Sequence, residues 1–158
     1  DDAIYNYGEV CSYMYFVVGG ELQYVQYSSI IEALLLRFHG SSKKASVSRM
    51  MSRNYCTVPG DTGSAGGHEA IGQGQWLCEG VLWTSWTHRG DLCTETHSTT
   101  LLLDGNHFGL LVDSYPMVRR FGGTHARRFI HALNITKEIS DLFDTEKAMF
   151  ASLGISPP

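Results

Sequence analysis

The chain is short of charge and has no long apolar run. Charged residues make up 18% of the sequence, against roughly 25% in an average globular protein, which excludes a charged disordered tail or a coiled coil. No run of apolar residues approaches the ~20 that a membrane-spanning helix needs, and no secretory signal stands at the start. With 158 residues and 43% hydrophobic content, the sequence predicts one soluble domain with a sizeable core.

The cysteine spacing and the net charge narrow the classes of protein further. The four cysteines show no C-x-x-C spacing, so we expect reduced, intracellular thiols, while an oxidised pair stays open as the alternative. The net charge of −4 argues against nucleic acid as a partner. Positive charge is concentrated between Ala33 and Gly60, where five basic residues occur with no acidic one. In this segment Ser46 and Ser52 follow basic residues and are candidate phosphorylation sites, where a phosphate would cancel local positive charge.

Two runs typical of β-strands stand near the N-terminus. Residues 13–18 and 21–27 are rich in aromatic and β-branched side chains, and Gly19-Gly20 separates them. Because glycine accepts the positive φ of a tight turn, this pattern predicts a β-hairpin. Further along, residues 60–74 contain six glycines in fifteen positions, which predicts a long surface loop.

Helical spacing appears in the last third of the chain. Phe108, Leu111, Val112 and Tyr115 fall on one helical face that ends before Pro116. The same spacing recurs in two later sets: Ala126, Phe129, Ile130 and Leu133, and then Ile135, Ile139, Leu142 and Phe143. Strands first and helices last predict an α+β fold that is mainly β, a barrel or jelly roll followed by C-terminal amphipathic helices.

No catalytic or metal motif is complete. The seven histidines form neither H-x-H nor H-E-x-x-H, and Gly72-Gln73-Gly74 lacks the third glycine of a dinucleotide loop. No G-x-S-x-G occurs either. The sequence therefore favours a protein that is not an enzyme and holds no metal.

The order of the remaining features is more specific. The motif M-Y-F-V-V-x-G-E-L begins at Met14; it is followed by W-L-C-E-G-V-L-W at 76–83, R-G-D-L at 89–92 and L-L-L-D at 101–104. Over residues 7–133 this order resembles the cyclic nucleotide-binding domain, in the divergent form appended to voltage-gated cation channels.

The resemblance implies the fold and its boundaries. It implies a β-roll of the cyclic nucleotide-binding type over residues 1–133, with residues 28–75 as an enlarged insert between strands, and a helical tail over residues 134–158. The family also has a helix before its first strand, whereas this chain begins almost at the predicted hairpin. The resemblance therefore implies an N-terminally truncated domain.

The resemblance also implies a ligand site. The family's phosphate-binding cassette, F-G-E-[LIA]-A-L and then P-R-A-A-[TS]-V, corresponds to residues 77–82 and 87–92. Glu79 matches the carboxylate that accepts hydrogen bonds from the ribose, and the N–H groups that follow it would meet the cyclic phosphate. The residues implied for a cyclic nucleotide are Glu79, Gly80, Val81, Leu82, His88, Arg89 and Gly90.

Departures from the family motif predict weak or absent binding of cyclic AMP or cyclic GMP. Alignment without a gap places His88 at the family's arginine, and losing that guanidinium removes on the order of 1.5–3 kcal/mol, about ten- to a hundredfold in affinity. Asp91 replaces a threonine or serine and would repel a phosphate, and Cys78 replaces a glycine. In a ligand-free pocket Trp83, Trp86 or the closing helix would take the ligand's place.

The resemblance implies a regulatory domain on the cytoplasmic side of a membrane, within a potassium or cation channel. Its partner would be the channel's pore domain, through which a homotetramer assembles. Nucleic acid, direct membrane insertion of this piece and a cofactor other than a cyclic nucleotide are not expected. Two alternatives stay open: a functional cyclic nucleotide-binding domain of a kinase or other signalling protein, with Arg89 holding the phosphate, and a small jelly-roll metalloenzyme using His88, His97 and Glu79.

Overall fold

The computed structural model describes residues 2–26 and 67–154. The candidate phosphorylation sites Ser46 and Ser52 lie outside the described residues. The strands are β1 (Ala3–Tyr5), β2 (Val10–Cys11), β3 (Tyr13–Gly19), β4 (Leu22–Gln26), β5 (Gly67–Ile71), β6 (Trp76–Leu77), β7 (Trp86–Thr87), β8 (Gly90–Thr94) and β9 (Thr99–Asp104). A 3₁₀ helix (Glu79–Leu82) precedes β7, and β9 is followed by α1 (Gly105–Ser114), α2 (Pro116–Ile135) and α3 (Thr145–Ser152).

The described chain divides into two compact units. The first contains residues 2–10, 17–26, 67–75 and 87–100, and the second contains residues 11–16, 76–86 and 101–154. The chain passes between them several times, so neither unit is a continuous stretch of sequence. The domain boundary predicted after residue 133 stays a prediction.

The first unit is built on a four-stranded antiparallel sheet with the order β1-β8-β4-β5. Strand β4 is central, because Leu22 pairs with Ile71 of β5 on one side and with Thr94 of β8 on the other. Leu22, Tyr24, Ile71 and Leu92 are buried on one face of this sheet, and Val25 is buried on the other face. Aromatic and branched side chains suit such a buried, pleated surface.

The predicted hairpin is wrong in its pairing although both strands exist. Strand β4 is bonded to β5 and β8, so neither edge is left for β3, which pairs instead with β6 and β9. Gly20 does have a positive φ of 81°, and a Cβ there would lie 2.4 Å from the carbonyl oxygen of His97. Gly20 therefore does lie in a tight turn between β3 and β4, but partners distant in sequence decide how the two strands pair.

The glycine-rich tract is not a loop throughout. Its part from Gly67 to Ile71 forms β5 and pairs with β4 over five residues, and Ile71 is fully buried. The prediction of a loop is wrong here because backbone pairing and one buried isoleucine stabilise a strand that composition does not reveal.

In the second unit, the N-terminal part of β3 pairs with β6, in the register Tyr15 with Leu77. Helix α1 starts where the Asp104 carboxylate accepts the N–H of His107 at 2.8 Å, an N-cap. It ends before Pro116, the first residue of α2. The helix predicted from Phe108 to Tyr115 is confirmed.

The helix predicted through Ile135, Ile139 and Phe143 is wrong. Helix α2 ends at Ile135, and α3 begins only at Thr145. Between these helices, the carbonyl oxygen of Asp141 accepts the N–H of Cys78 at 2.7 Å. This oxygen is therefore bonded to the start of the 3₁₀ segment and not within a helix. The apolar spacing reflects burial, with Phe143 packed edge-on against Phe129 of α2.

The predicted fold class is confirmed: antiparallel strands come first and α-helices last. In the part of the chain that is described, no helix is long and apolar enough to cross a bilayer. Cys11 and Cys78 are not disulfide-bonded, as predicted, but Cys93 forms a disulfide, which corrects the expectation of reduced thiols at that position.

Candidate functional site

The cassette begins with a backbone conformation that favours glycine. Cys78, just before the 3₁₀ helix, has φ 63° and ψ 31°, and it is the only non-glycine residue with positive φ in the described ranges. For a side chain other than glycine this conformation costs roughly 1–2 kcal/mol. The family motif has a glycine at this position. The left-handed backbone explains why a glycine suits it, and this agreement supports the alignment of residues 77–82.

The carboxylate of Glu79 is engaged by the chain itself. Its Oε1 accepts a hydrogen bond from the indole Nε1 of Trp83 at 3.1 Å and lies 2.8 Å from Nε2 of His125. Trp83 comes from the end of the same 3₁₀ helix, whereas His125 comes from the middle of α2. The oxygen expected to accept a ribose hydroxyl thus already has two partners.

Aromatic rings surround this contact. The Trp83 ring lies 5.1 Å from the His125 ring and meets Phe108 of α1 edge to face at 5.5 Å. These ring contacts favour the side-chain orientations in which Trp83 and His125 reach Glu79, while the His125 side chain stays 47% exposed.

Gly80 serves the packing of a second tryptophan. A Cβ on Gly80 would lie 2.3 Å from the ring of Trp86, so only glycine allows this approach. The indole Nε1 of Trp86 donates to the Asp141 carboxylate at 2.7 Å, and its ring faces Phe129 of α2. Asp141 therefore ties the cassette to the segment that follows α2.

A backbone N–H of the cassette predicted to meet a phosphate is also hydrogen-bonded within the protein. The N–H of Val81, predicted to meet a phosphate, donates to the carbonyl of Cys78 at 3.1 Å. Leu82 is half-buried at the end of the 3₁₀ helix. Backbone donors in this turn thus serve the turn itself.

His88 lies in the first unit as a packed core residue. Its side chain is 3% exposed, and its ring stacks on Tyr5 at 3.6 Å with a 12° interplanar angle. Its backbone N–H donates to Glu9 at 3.0 Å, and its carbonyl accepts the N–H of Gly8 at 2.9 Å. Within the first unit, His88 is therefore packed against Tyr5 and bonded through its backbone to the segment 8–9.

Gly90 and Asp91 also have structural roles in the first unit. A Cβ on Gly90 would lie 2.4 Å from the carbonyl oxygen of Val25, so glycine lets β8 approach β4. Asp91 is 1% exposed, and its Oδ1 accepts the N–H of Tyr7 at 2.6 Å. Arg89, which lies between His88 and Gly90 in the sequence, is half-buried.

The predicted site residues thus fall into two groups. Residues 79–82 form the 3₁₀ helix of the second unit, while residues 88–90 lead into β8 of the first. Sequence reasoning missed His125 and Asp141. Neither had a local sequence signal: His125 is an exposed residue of α2, so no burial pattern marks it, and Asp141 lies after α2 outside any helix or strand.

The metalloenzyme alternative stays a prediction. Within residues 2–26 and 67–154, neither Glu79 nor His97 belongs to a cluster of three or more metal-ligating side chains.

Tyr15 of β3 has an altered acidity in the second unit. Burial raises the pKa of Tyr15 from 10.0 to about 12, and the neighbouring Cys78, Cys11 and Asp141 add to the increase. Because the folded state holds the phenol proton more tightly, this contribution to stability is fully present below pH 10 and is lost as the pH rises toward 12.

We expect wild type to lose about 1–2 kcal/mol of unfolding free energy between pH 9 and pH 12 that Tyr15→Phe does not lose. Urea unfolding of both proteins across this range measures the difference. Parallel pH curves for the two proteins would contradict the assignment.

Comparison with known proteins yields structures but no family. No protein-family model matches the chain, and no curated protein matches it. A protein from Silicibacter pomeroyi DSS-3, described as a cAMP-binding regulatory protein, is 12% identical with a TM-score of 0.47, and the match covers 99% of this chain and 66% of that one.

Two structures of the EAL enzyme Bd1971 also match. The cAMP-bound form is 12% identical, with a TM-score of 0.45, over 98% of this chain and 31% of that one. The cGMP-bound form is 11% identical, with a TM-score of 0.44, over 98% of this chain and 32% of that one. This chain therefore spans about a third of Bd1971 and just under two thirds of the Silicibacter protein.

Proposed function

We propose that this chain is a cyclic nucleotide-binding-like regulatory domain whose nucleotide site is weak or lost. The observation that carries the proposal is the engagement of Glu79 by Trp83 and His125. The sequence resemblance supplies the family, and the left-handed backbone at Cys78 supports its alignment over the cassette.

Binding of a cyclic nucleotide has to displace a contact that the protein makes already. A ribose hydroxyl on Glu79 competes with His125, whose side chain is 47% exposed, and a contact of this kind contributes about 0.2–1 kcal/mol. Displacing it lowers the apparent affinity by up to about fivefold. The Val81 N–H that a phosphate would need is also bonded within the turn.

The same contact gives the domain a regulatory element. His125 lies on α2, so the hydrogen bond to Glu79 joins this helix to the cassette. A helix that is docked in one state and released in another is a two-state element that a partner can bias. We infer that the parent protein is a voltage-gated potassium or cation channel, that its pore domain is the partner and that the domain lies on the cytoplasmic side. This inference rests on the resemblance alone.

Calorimetric titration of the 158-residue chain with cyclic AMP and with cyclic GMP tests the proposal. We expect no saturable binding below millimolar nucleotide for wild type. We also expect His125→Ala to raise the affinity by up to about fivefold by releasing Glu79. His131→Ala, an exposed histidine on the same helix, is the matched control and should change nothing.

A functional signalling domain is the outcome that would replace this proposal. It predicts saturable binding by wild type that Arg89→Ala abolishes and His88→Ala leaves intact. Saturable binding by wild type tighter than millimolar rejects a degenerate site, whichever variant affects it.

A further inference from the structure

The junction of α1 and α2 exposes a concentrated set of large apolar side chains. Six of them occur within twelve consecutive residues, each between 48% and 71% exposed. We call this set the apolar corner: Leu110, Leu111, Tyr115, Met117, Val118 and Phe121. Soluble proteins rarely leave such a cluster without a partner.

Contacts between the two helices hold the corner in place. A Cβ on Gly122 would lie 3.5 Å from Val112, so α2 passes close to α1 at ordinary van der Waals distance. Arg119 pairs with Asp113 at 3.4 Å. The end of α1 and the start of α2 therefore lie side by side, and the corner is a defined surface of the second unit.

The same helices carry an excess of positive charge. Helix α2 contains Arg119, Arg120, Arg127 and Arg128 and no acidic residue, and α1 contains only Asp113, so four positive and one negative charge give +3 in a chain of net charge −4. Arg127 and Arg128 stand seven residues after Arg120 and Phe121, so helical periodicity places them on the same exposed faces of α2. The positive charge is therefore adjacent to the apolar side chains.

We propose that the apolar corner and its arginines bind the surface of an anionic lipid bilayer. Apolar side chains next to arginines match an interfacial element, in which the former enter the headgroup region and the latter contact lipid phosphates. A second copy of the chain fits less well, because a two-fold contact through this surface would bring two +3 surfaces together. The proposal does not depend on the proposed function.

Co-sedimentation of the full chain with lipid vesicles tests it. We expect binding to vesicles of equal phosphatidylcholine and phosphatidylserine, and little binding to phosphatidylcholine alone. Arg127→Glu with Arg128→Glu should lower partitioning about thirtyfold, because each basic residue contributes a factor of about five near an anionic surface. Met117→Ser with Phe121→Ser should lower it at least about tenfold.

Matched controls come from exposed positions elsewhere. Val10→Ser removes an apolar side chain that is 82% exposed in the first unit, and Lys137→Glu with Lys147→Glu reverses two exposed charges near the C-terminus; neither should change binding. Equal binding to both vesicle types, or binding to neither, overturns the proposal. So does a dimer in solution that Met117→Ser with Phe121→Ser dissociates while vesicle binding is absent.

Discussion

Gly90→Ala should lower the free energy of unfolding by about 3 kcal/mol or more, or prevent folding of the first unit. The added methyl group would lie 2.4 Å from the carbonyl oxygen of Val25 and 2.6 Å from the ring of Tyr24. Both neighbours belong to the central strand β4, so neither can move without disturbing the pairing of β4 with β5 and β8. Denaturant unfolding measures the effect.

Gly19→Ala is the matched control for this substitution. Gly19 also lies in a strand, but a Cβ there meets nothing within 4 Å. We expect a change of less than about 1 kcal/mol, because only strand propensity and backbone entropy are altered. A small effect at Gly90 would show that β8 can move away from β4, against the close approach described.

Asp141→Ala should lower the free energy of unfolding by about 3 kcal/mol. Asp141 is 2% exposed, and its carboxylate accepts the indole N–H of Trp86 at 2.7 Å. Removing the acceptor leaves a buried donor unsatisfied, which costs about 1–3 kcal/mol, and more where the lost partner is charged. The packing of Trp86 against Gly80 should loosen as well, and tryptophan fluorescence can report it.

Asp141→Asn separates the hydrogen bond from the charge. The amide keeps an acceptor oxygen at the same place, so we expect a loss of about 1 kcal/mol with little change in fluorescence. Equal losses for Asp141→Ala and Asp141→Asn would mean that the carboxylate charge, rather than the bond to Trp86, stabilises the folded state.

Local patterns in the sequence predict elements better than their partners. The helix that ends before Pro116 follows from spacing and from proline, both of which act within one turn of chain. The strands on either side of Gly19 and Gly20 also form. Their predicted pairing is wrong because β4 is bonded to β5 and β8, and β5 comes from a glycine-rich tract without strand-forming composition.

The candidate site shows the same division. A motif match places Glu79 and Cys78 at the start of the cassette, and the left-handed φ at Cys78 agrees with the glycine that the family has there. The partners of the cassette, His125 and Asp141, are 46 and 55 residues from the atoms they bind. Such contacts depend on how α2 and the segment after it fold back, which no local spacing predicts.

A crystal structure of the chain grown or soaked with saturating cyclic AMP tests the central claim most directly. We expect Nε2 of His125 to remain near 2.8 Å from Oε1 of Glu79, with no nucleotide on this carboxylate. A ribose hydroxyl bonded to Glu79, with His125 displaced, would contradict it.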